Sequence, residues 1–347
     1  MSSARWLVHC RPGFENDCAA ELGAFAAANG TTGFARAKAE AAHLIFETSG
    51  DADAEFAPGW HEVCFARELW PIHAALELPE ADRVSAILAA LPLAVRAFSG
   101  VRLEHPDTNE GKALSAFCRK FTAPLERGLK AAGIRIDAPG APLLHLFLTD
   151  SRQALLGISD PARSAPWLMG IARLKFPHAA PSRSTLKLEE AFLALLSADE
   201  RARWLVPGMT AVDLGAAPGG WTWQFVQRGL RVIAVDNGPM DAALLESGLV
   251  EHRREDGFRF RPARPVDWLV CDMVEQPQRV TQLIGDWLER GDARRAIFNL
   301  KLPMKKRQAM VADCLSALRA RQPSVALRAK QLYHDREEIT VYAATVG

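Results

Sequence analysis

Apolar and polar positions change rhythm half-way along this chain. In the first half short apolar runs are spaced irregularly. Arg5–Cys10 (RWLVHC) predicts a strand, and the Arg11-Pro12-Gly13 turn that follows punctuates it. An alanine-rich stretch from about Phe14 to Asn29 predicts a helix, closed by Asn29-Gly30. His43–Glu47 predicts a further strand, and the acidic, alanine-rich segment Asp51–Gly59 a loop. A second unit is expected from Trp60 to Leu148. Its helices are Val84–Leu91 and Ala113–Ala132; its strands are Val101–Glu104 and the wholly apolar Leu143–Leu148. Small sheets, each with helices on one face, fit both units. Ser164–Ser184 carries Pro166, Pro177 and Pro181 among Arg173, Lys175, His178 and Arg183, and reads as a linker or basic loop.

From Leu186 onward the pattern alternates regularly. Strands are predicted at Thr210–Leu214, Arg231–Val235, Trp268–Cys271 and Ala296–Leu300, with helices at Gly220–Arg228, Val280–Arg290 and Lys306–Ala320. Val325–Gln331 and Ile339–Ala344 have the spacing of an antiparallel pair. The fold class expected is α/β, a mostly parallel, doubly wound sheet preceded by α+β units. The divisions expected are 1–58, 59–160, a linker over 161–185, and a catalytic domain over 186–347. Ligands of such sheets bind beyond the carboxyl ends of the strands, so the chemistry is sought there.

Composition narrows the function classes. A chain of 347 residues that is 49% hydrophobic and 24% charged is globular and has room for two or three domains. A net charge of +1 excludes a molecule that binds polyanions with its whole surface, though a local basic patch still could. Six cysteines without a C-x-x-C pair and nine scattered histidines give no metal-ligand spacing, so no metal is expected. Reduced thiols, the lack of an apolar leader and the lack of about eighteen consecutive apolar residues predict a cytoplasmic protein without a membrane span. Nothing demands a dimer, and a monomer is expected.

The most informative segment is Ala211–Thr222 (AVDLGAAPGGWT). A buried strand ends near Asp213, and a glycine-rich turn opens a helix whose free N–H groups suit an anionic ligand group. About twenty residues later the next strand ends at Asp236, where a carboxylate can accept both hydroxyls of a ribose. The pairing predicts a nucleoside-containing cofactor. The turn lacks the G-x-G-x-x-G of dinucleotide sites. Asp213 at its mouth would repel phosphates but suits a sulfonium and an amino group, which favours S-adenosylmethionine over NAD.

Three charged residues stand at predicted strand ends: Asp272, Lys301 and Glu338. Lys187 begins the helix before the cofactor strand. Lone buried charges are costly, so such a set is solvated, mutually paired or functional. Methylation of a ribose hydroxyl needs a base, and a lysine whose pKa is lowered from about 10.4 can serve. Burial, a second cation and a sulfonium push Lys301 down; Asp272 and Glu338 push it up. Amine methylation lacks its usual Pro-Pro motif here. Cys271 points away from Asp272 by strand alternation, which argues against a cysteine nucleophile.

The runs SRSTLKLEEAF, DLGAAPGGWT, VDNGPM, REDGF, CDMVE, FNLKLPMKKR and LYHDREEITV resemble the bacterial 23S ribosomal RNA cytidine 2′-O-methyltransferase M family (RlmM). RPGFE, FAR, DTNE and FCRKFT extend the likeness to nearly the whole chain. The chain is more distantly similar to FtsJ-like ribose methyltransferases, which share a K-D-K-E tetrad. The resemblance implies that the tetrad is Lys187, Asp272, Lys301 and Glu338, with Lys301 as base. It implies cofactor contacts at Ser184, Ala217, Pro218, Gly219, Gly220, Asp236, Asp256 and Asp272. It also implies a class I methyltransferase domain with an antiparallel C-terminal strand, preceded by ferredoxin-like and THUMP-type RNA-binding units. Ala217 stands where relatives often carry cysteine, in a loop where backbone contact matters.

The partner implied is 23S ribosomal RNA or a precursor of the large subunit. Arg173, Lys175, Arg183, Arg253, Arg254, Arg259, Arg261, Lys305, Lys306 and Arg307 would form a basic rim, and Trp221 and Trp223 either stack a base or pack in the core. Arg119 and Lys120 on the long helix are either phosphate contacts or a solvated face. A NAD-dependent oxidoreductase and a non-catalytic RNA-binding protein remain the alternatives; the intact tetrad argues against the latter.

Overall fold

The computed structural model describes residues 4–49 and 56–345, so the loop expected over Asp51–Gly59 lies outside the described residues as far as position 55. The chain divides into two compact units, Met1–Ile171 and Ala172–Gly347.

The first unit contains β1 (Arg5–His9), α1 (Glu15–Ala28), β2 (Thr32–Ala37), β3 (His43–Ser49), β4 (Glu68–Glu77), α2 (Arg83–Ala90), β5 (Gly100–Glu104), α3 (Lys112–Ala131), β6 (Leu143–Leu148) and β7 (Gln153–Ser159). Where separate small sheets were expected, one seven-stranded sheet runs in the order β2-β3-β1-β4-β7-β6-β5. The strand that joins the halves is β4. Its first residues pair with β1, as in Leu7↔Trp70, and from Ile72 onward it pairs with β7. Pro71, which has no N–H and argues against a central strand, sits where β4 changes partner. The stretch 161–185 is not one linker: the Ala165 N–H donates to Glu68 of the first unit, while Ser182 and Ser184 belong to the second.

Polar groups at the centre of this first sheet are fully buried. Glu104 Oε2 accepts from Trp70 Nε1 at 3.0 Å and lies 3.2 Å from His9 Nε2 and 3.3 Å from His145 Nδ1. Burial alone would raise the Glu104 pKa, but His145 and His9 outweigh it and hold the carboxyl well below its ordinary range.

The second unit contains α4 (Thr185–Leu195), α5 (Ala198–Trp204), β8 (Thr210–Leu214), α6 (Gly220–Val226), β9 (Arg231–Val235), α7 (Ala242–Glu246), β10 (Val250–Arg253), β11 (Val266–Cys271), α8 (Pro277–Arg290), β12 (Ala293–Lys301), α9 (Arg307–Arg321), β13 (Val325–Lys330) and β14 (Glu338–Thr345). Local signals set several ends. Ser197 and Glu200 form a capping box on α5, and α8 opens on Pro277 and closes on Gly291 at φ +70°. The sheet order is β10-β9-β8-β11-β12-β14-β13, parallel from β10 to β12, with β14 antiparallel to both neighbours. The strands run outward from β8 through β9 to β10 in one direction and from β11 to β12 in the other. The switch point, where a ligand crevice belongs, lies between them. Phe192, Phe225, Trp268 and Tyr342 anchor the core on one face of the sheet.

Candidate active site

The glycine turn leaves β8 beside this switch point. Gly215 has φ +78° and Gly219 φ +116°, conformations that side chains resist. A Cβ at Gly220 would strike Ser182 Oγ and Ser184 Oγ, so glycine lets the start of α4 lie against the turn. Asp236, at the end of β9, ties the turn down: Oδ2 accepts the Ala217 N–H at 3.0 Å and Oδ1 the Gly238 N–H at 2.7 Å. Ser184 Oγ lies 2.6 Å from Ser182 Oγ. Asp256 is exposed on the loop after β10, where its Oδ1 accepts the Phe258 N–H at 2.9 Å.

Asp213, expected at the mouth of the turn, lies beneath it with 1% exposure and accepts from Thr222 Oγ1 at 2.6 Å. Burial, opposed by the Thr222 hydrogen bond and reinforced by Asp272 and Asp236, pushes its pKa up to about 7. It acts on the turn from below and does not line the opening.

The four expected charged residues meet. Lys301 Nζ donates to Asp272 Oδ1 at 2.7 Å and to Glu338 Oε2. Lys187 Nζ donates to Asp272 Oδ2 at 3.3 Å and pairs with Glu338 Oε1. The elements explain the convergence. Asp272 follows β11, Lys301 ends β12, and the antiparallel register sets Lys301 directly opposite Glu338. Lys187 is delivered by α4, which is fixed in two ways. Gln224 Nε2 donates to the Thr185 carbonyl at 3.0 Å. One turn beyond Lys187, Glu190 accepts the N–H groups of Tyr333 and His334 at 2.8 and 2.9 Å. The side chains of Lys187, Asp272 and Lys301 are 19%, 18% and 24% exposed, so a substrate can reach them, while Glu338 at 7% sits deepest. The set adjoins the turn: a Cβ on Gly215 would lie 2.7 Å from Cγ of Met273, the residue after Asp272.

For Lys301, burial is the largest influence and lowers the pKa, but the charges and hydrogen bonds of Asp272 and Glu338 together raise it above its ordinary value. In this state Lys301 is an ammonium. Cys271 is fully buried and its thiol is pushed up to about 12, chiefly by burial, so it is no nucleophile.

Trp221 is buried in the core and Trp223 packs beside Ala216, Ala234, Met240 and Leu244, so neither is free to stack a base. The exposed apolar side chains nearest the tetrad in sequence are Val274 and Met304 instead. The expected basic residues lie at the surface; Arg307 alone is half-buried, and Arg173 lies over the Tyr333 ring. Sequence reasoning missed Asn299 and Thr340, both fully buried and linked to Asp272. The signal for them was alternation: Asn299 shares a strand face with Lys301, and Thr340 with Glu338.

Comparison with known proteins agrees along the whole chain. Residues 180–304 match the FtsJ-like methyltransferase family, residues 3–69 the RlmM ferredoxin-like domain, and residues 82–160 the N-terminal domain of ribosomal RNA large subunit methyltransferase M. The protein of that name from Alkalilimnicola ehrlichii is 52% identical over 98% of this chain and 94% of its own length. This chain belongs to the ribosomal RNA large subunit methyltransferase M family. The Azotobacter vinelandii member is 50% identical over 97% of each chain. The solved structure of TrmN from Thermus thermophilus aligns over 99% of this chain and 100% of its own at 18% identity, with a TM-score of 0.38, too distant to bear on the site. Membership of the RlmM family makes the chain a methyltransferase enzyme that acts on ribosomal RNA.

Proposed function

We propose that this enzyme transfers a methyl group from S-adenosylmethionine to the ribose 2′-hydroxyl of a cytidine in 23S ribosomal RNA, with Lys301 as general base. The observation that carries the reading is Lys301 Nζ held between Asp272 and Glu338 beside the Gly215–Gly220 turn. The choice of cytidine rests on the family resemblance.

The donor set fits the cofactor. Asp236 is an acceptor group suited to a ribose diol. Ser184 and Ala217 to Gly220 would hold the methionine part, and Asp236 and Asp256 the adenosine. Bound S-adenosylmethionine supplies an electrophilic methyl carbon on a sulfonium. Lys301 Nζ, once it has given its own proton to solvent, takes the 2′-hydroxyl proton as the methyl is transferred. Asp272 and Glu338 aim the amine, and Lys187 shares their charge. Orientation of the hydroxyl in line with the methyl group supplies a further large share of the acceleration.

Each unit carries exposed cations that suit RNA phosphates. Lys175, Arg183, Arg254, Lys305 and Lys306 are exposed in the second unit, and Lys112, Arg119, Lys120, Arg127 and Lys130 are exposed on α3 in the first. We assign the first unit, with its ferredoxin-like and THUMP-type parts, to delivery of the RNA.

Asp236→Ala removes the carboxylate that ties the turn and would accept the ribose hydroxyls. The dissociation constant for S-adenosylmethionine, measured by calorimetry, is expected to rise by roughly tenfold to a hundredfold, the loss of one or two hydrogen bonds to a charged group. Unchanged affinity would mean that the ribose is held elsewhere. The acceptor itself is tested with RNA carrying a single 2′-deoxycytidine at the mapped position. That RNA is expected to accept no methyl; methylation at the same nucleotide would move the reaction to the base.

A further inference from the structure

The network around Asp272 continues into the protein. Asn299, Thr340 and Asp335 are each fully buried behind the tetrad. The register of β12 with β14 sets Asn299 opposite Thr340, two residues along from the Lys301–Glu338 pair. Asn299 Nδ2 donates to Asp272 Oδ1 at 2.9 Å, the oxygen that also accepts from Lys301. Thr340 Oγ1 lies 2.8 Å from Asn299 Oδ1 and 3.0 Å from Asp335 Oδ2. Asp335 Oδ2 also accepts the Leu332 N–H at 3.2 Å, and its Oδ1 is buried without a hydrogen-bond partner among the described residues.

Counting protons along this chain fixes its direction. Asp272, as a carboxylate paired with two lysines, only accepts, so the Asn299 amide must turn its NH₂ toward Asp272 and its oxygen toward Thr340. That oxygen needs the one proton of the Thr340 hydroxyl. Thr340 then has none for Asp335, and the 3.0 Å contact is a hydrogen bond only if Asp335 is the donor. An ionised Asp335 would set two acceptors against each other and leave a charged oxygen buried without a partner, each a costly arrangement.

We propose that Asp335 is a neutral carboxylic acid at the head of a one-way hydrogen-bond chain, Asp335 to Thr340 to Asn299 to Asp272, which sets the position and basicity of Lys301. The proposal rests on the reading of Lys301 as the base. Its residues are positioning residues, since all three are fully buried behind the tetrad. The surroundings agree: burial raises the Asp335 pKa well above its ordinary value, and the charges of Glu338 and Glu190 raise it further against the charge of Lys187. The groups facing Lys301 are Asp272 at the end of β11 and Glu338 on β14. By donating to Asp272 Oδ1, Asn299 shares out the carboxylate's charge and weakens its hold on the Lys301 proton. When the chain is broken Asp272 holds that proton more tightly, and the base is freed only at higher pH.

Thr340→Val removes the hydroxyl and keeps the shape; Thr340→Ser keeps the hydroxyl. With the full-length protein, methyl transfer to 23S ribosomal RNA is measured as a function of pH for both variants. Thr340→Val is expected to move the acidic limb of the kcat profile about one unit to higher pH and to lower kcat about tenfold at neutral pH. Its S-adenosylmethionine affinity is expected to be unchanged, and Thr340→Ser should restore the wild-type profile. A Thr340→Val profile that matches the wild type, or a Thr340→Val loss that Thr340→Ser does not restore, overturns the proposal. Infrared difference spectroscopy of the wild type against Asp335→Asn at neutral pH reads the proton directly. A protonated-carboxyl band that vanishes in the variant is expected, and its absence from the wild type overturns the proposal. Should the wild type form no 2′-O-methyl product, the reading of the reaction fails by itself, and the infrared arm still decides whether Asp335 is neutral.

Discussion

Replacing Lys301 with alanine is expected to lower methyl transfer to RNA by about 10³-fold or more, in the range a positioned general base supplies. Affinity for S-adenosylmethionine should stay within a few-fold, because the turn and Asp236 do not depend on Lys301. The same side chain predicts the pH dependence. Its pKa is raised above the ordinary lysine value, and only the neutral amine accepts a proton, so the wild-type rate should climb as pH rises from neutrality. In Lys301→Ala the residual rate should lose that slope. Substantial turnover in Lys301→Ala, measured with methyl-labelled cofactor, would take Lys301 out of the base role.

The second large effect lies in the first unit and concerns stability. Glu104→Ala leaves Trp70 Nε1, His9 and His145 buried around a lost acceptor. Removing one partner from a fully buried charged cluster costs about 3–5 kcal/mol, a large part of the stability of a domain. Glu104→Gln retains an acceptor and should cost less. The sign with pH follows from the depressed carboxyl: its contribution is present above the unfolded value of 4.5 and is lost as pH falls through the lower folded value. Urea denaturation followed by tryptophan fluorescence checks both points. A Glu104→Ala midpoint equal to that of the wild type would show that the cluster contributes nothing net.

The parallel half of the fold was legible because its strands are apolar runs that end in glycine or a charge. Thr210–Leu214 and Arg231–Val235 appear with the bounds read from the sequence, as does Leu143–Leu148 in the first unit. What escaped notice lacked such a signal. β2 (TGFARA) and β10 (VEHR) are sheet edges with exposed side chains, and β4 carries a proline where its partner changes. The first sheet is therefore continuous where the sequence suggested two.

In the site, charged residues at strand ends announced themselves, because an isolated charge there has few ways to be satisfied. The same logic misplaced Asp213, which burial pushes toward the neutral form beneath the turn. Of the two readings open for the tryptophans, packing in the core is the one found. Asn299 and Thr340 could have been found from alternation once Lys301 and Glu338 were chosen. Asp335 could not, since it stands in the loop five residues before Thr340, where strand alternation does not reach.

The most direct test of the whole account is the chemical position of the transferred methyl group. A ribose 2′-O-methyl blocks alkaline cleavage of the adjoining phosphodiester. Label carried from methyl-tritiated S-adenosylmethionine into 23S ribosomal RNA by the wild-type protein should therefore be recovered in an alkali-resistant dinucleotide with cytidine on its 5′ side, and Lys301→Ala should yield about a thousandth as much or less. Label recovered in a free mononucleotide, with the methyl on its base, would contradict the role given to Lys301.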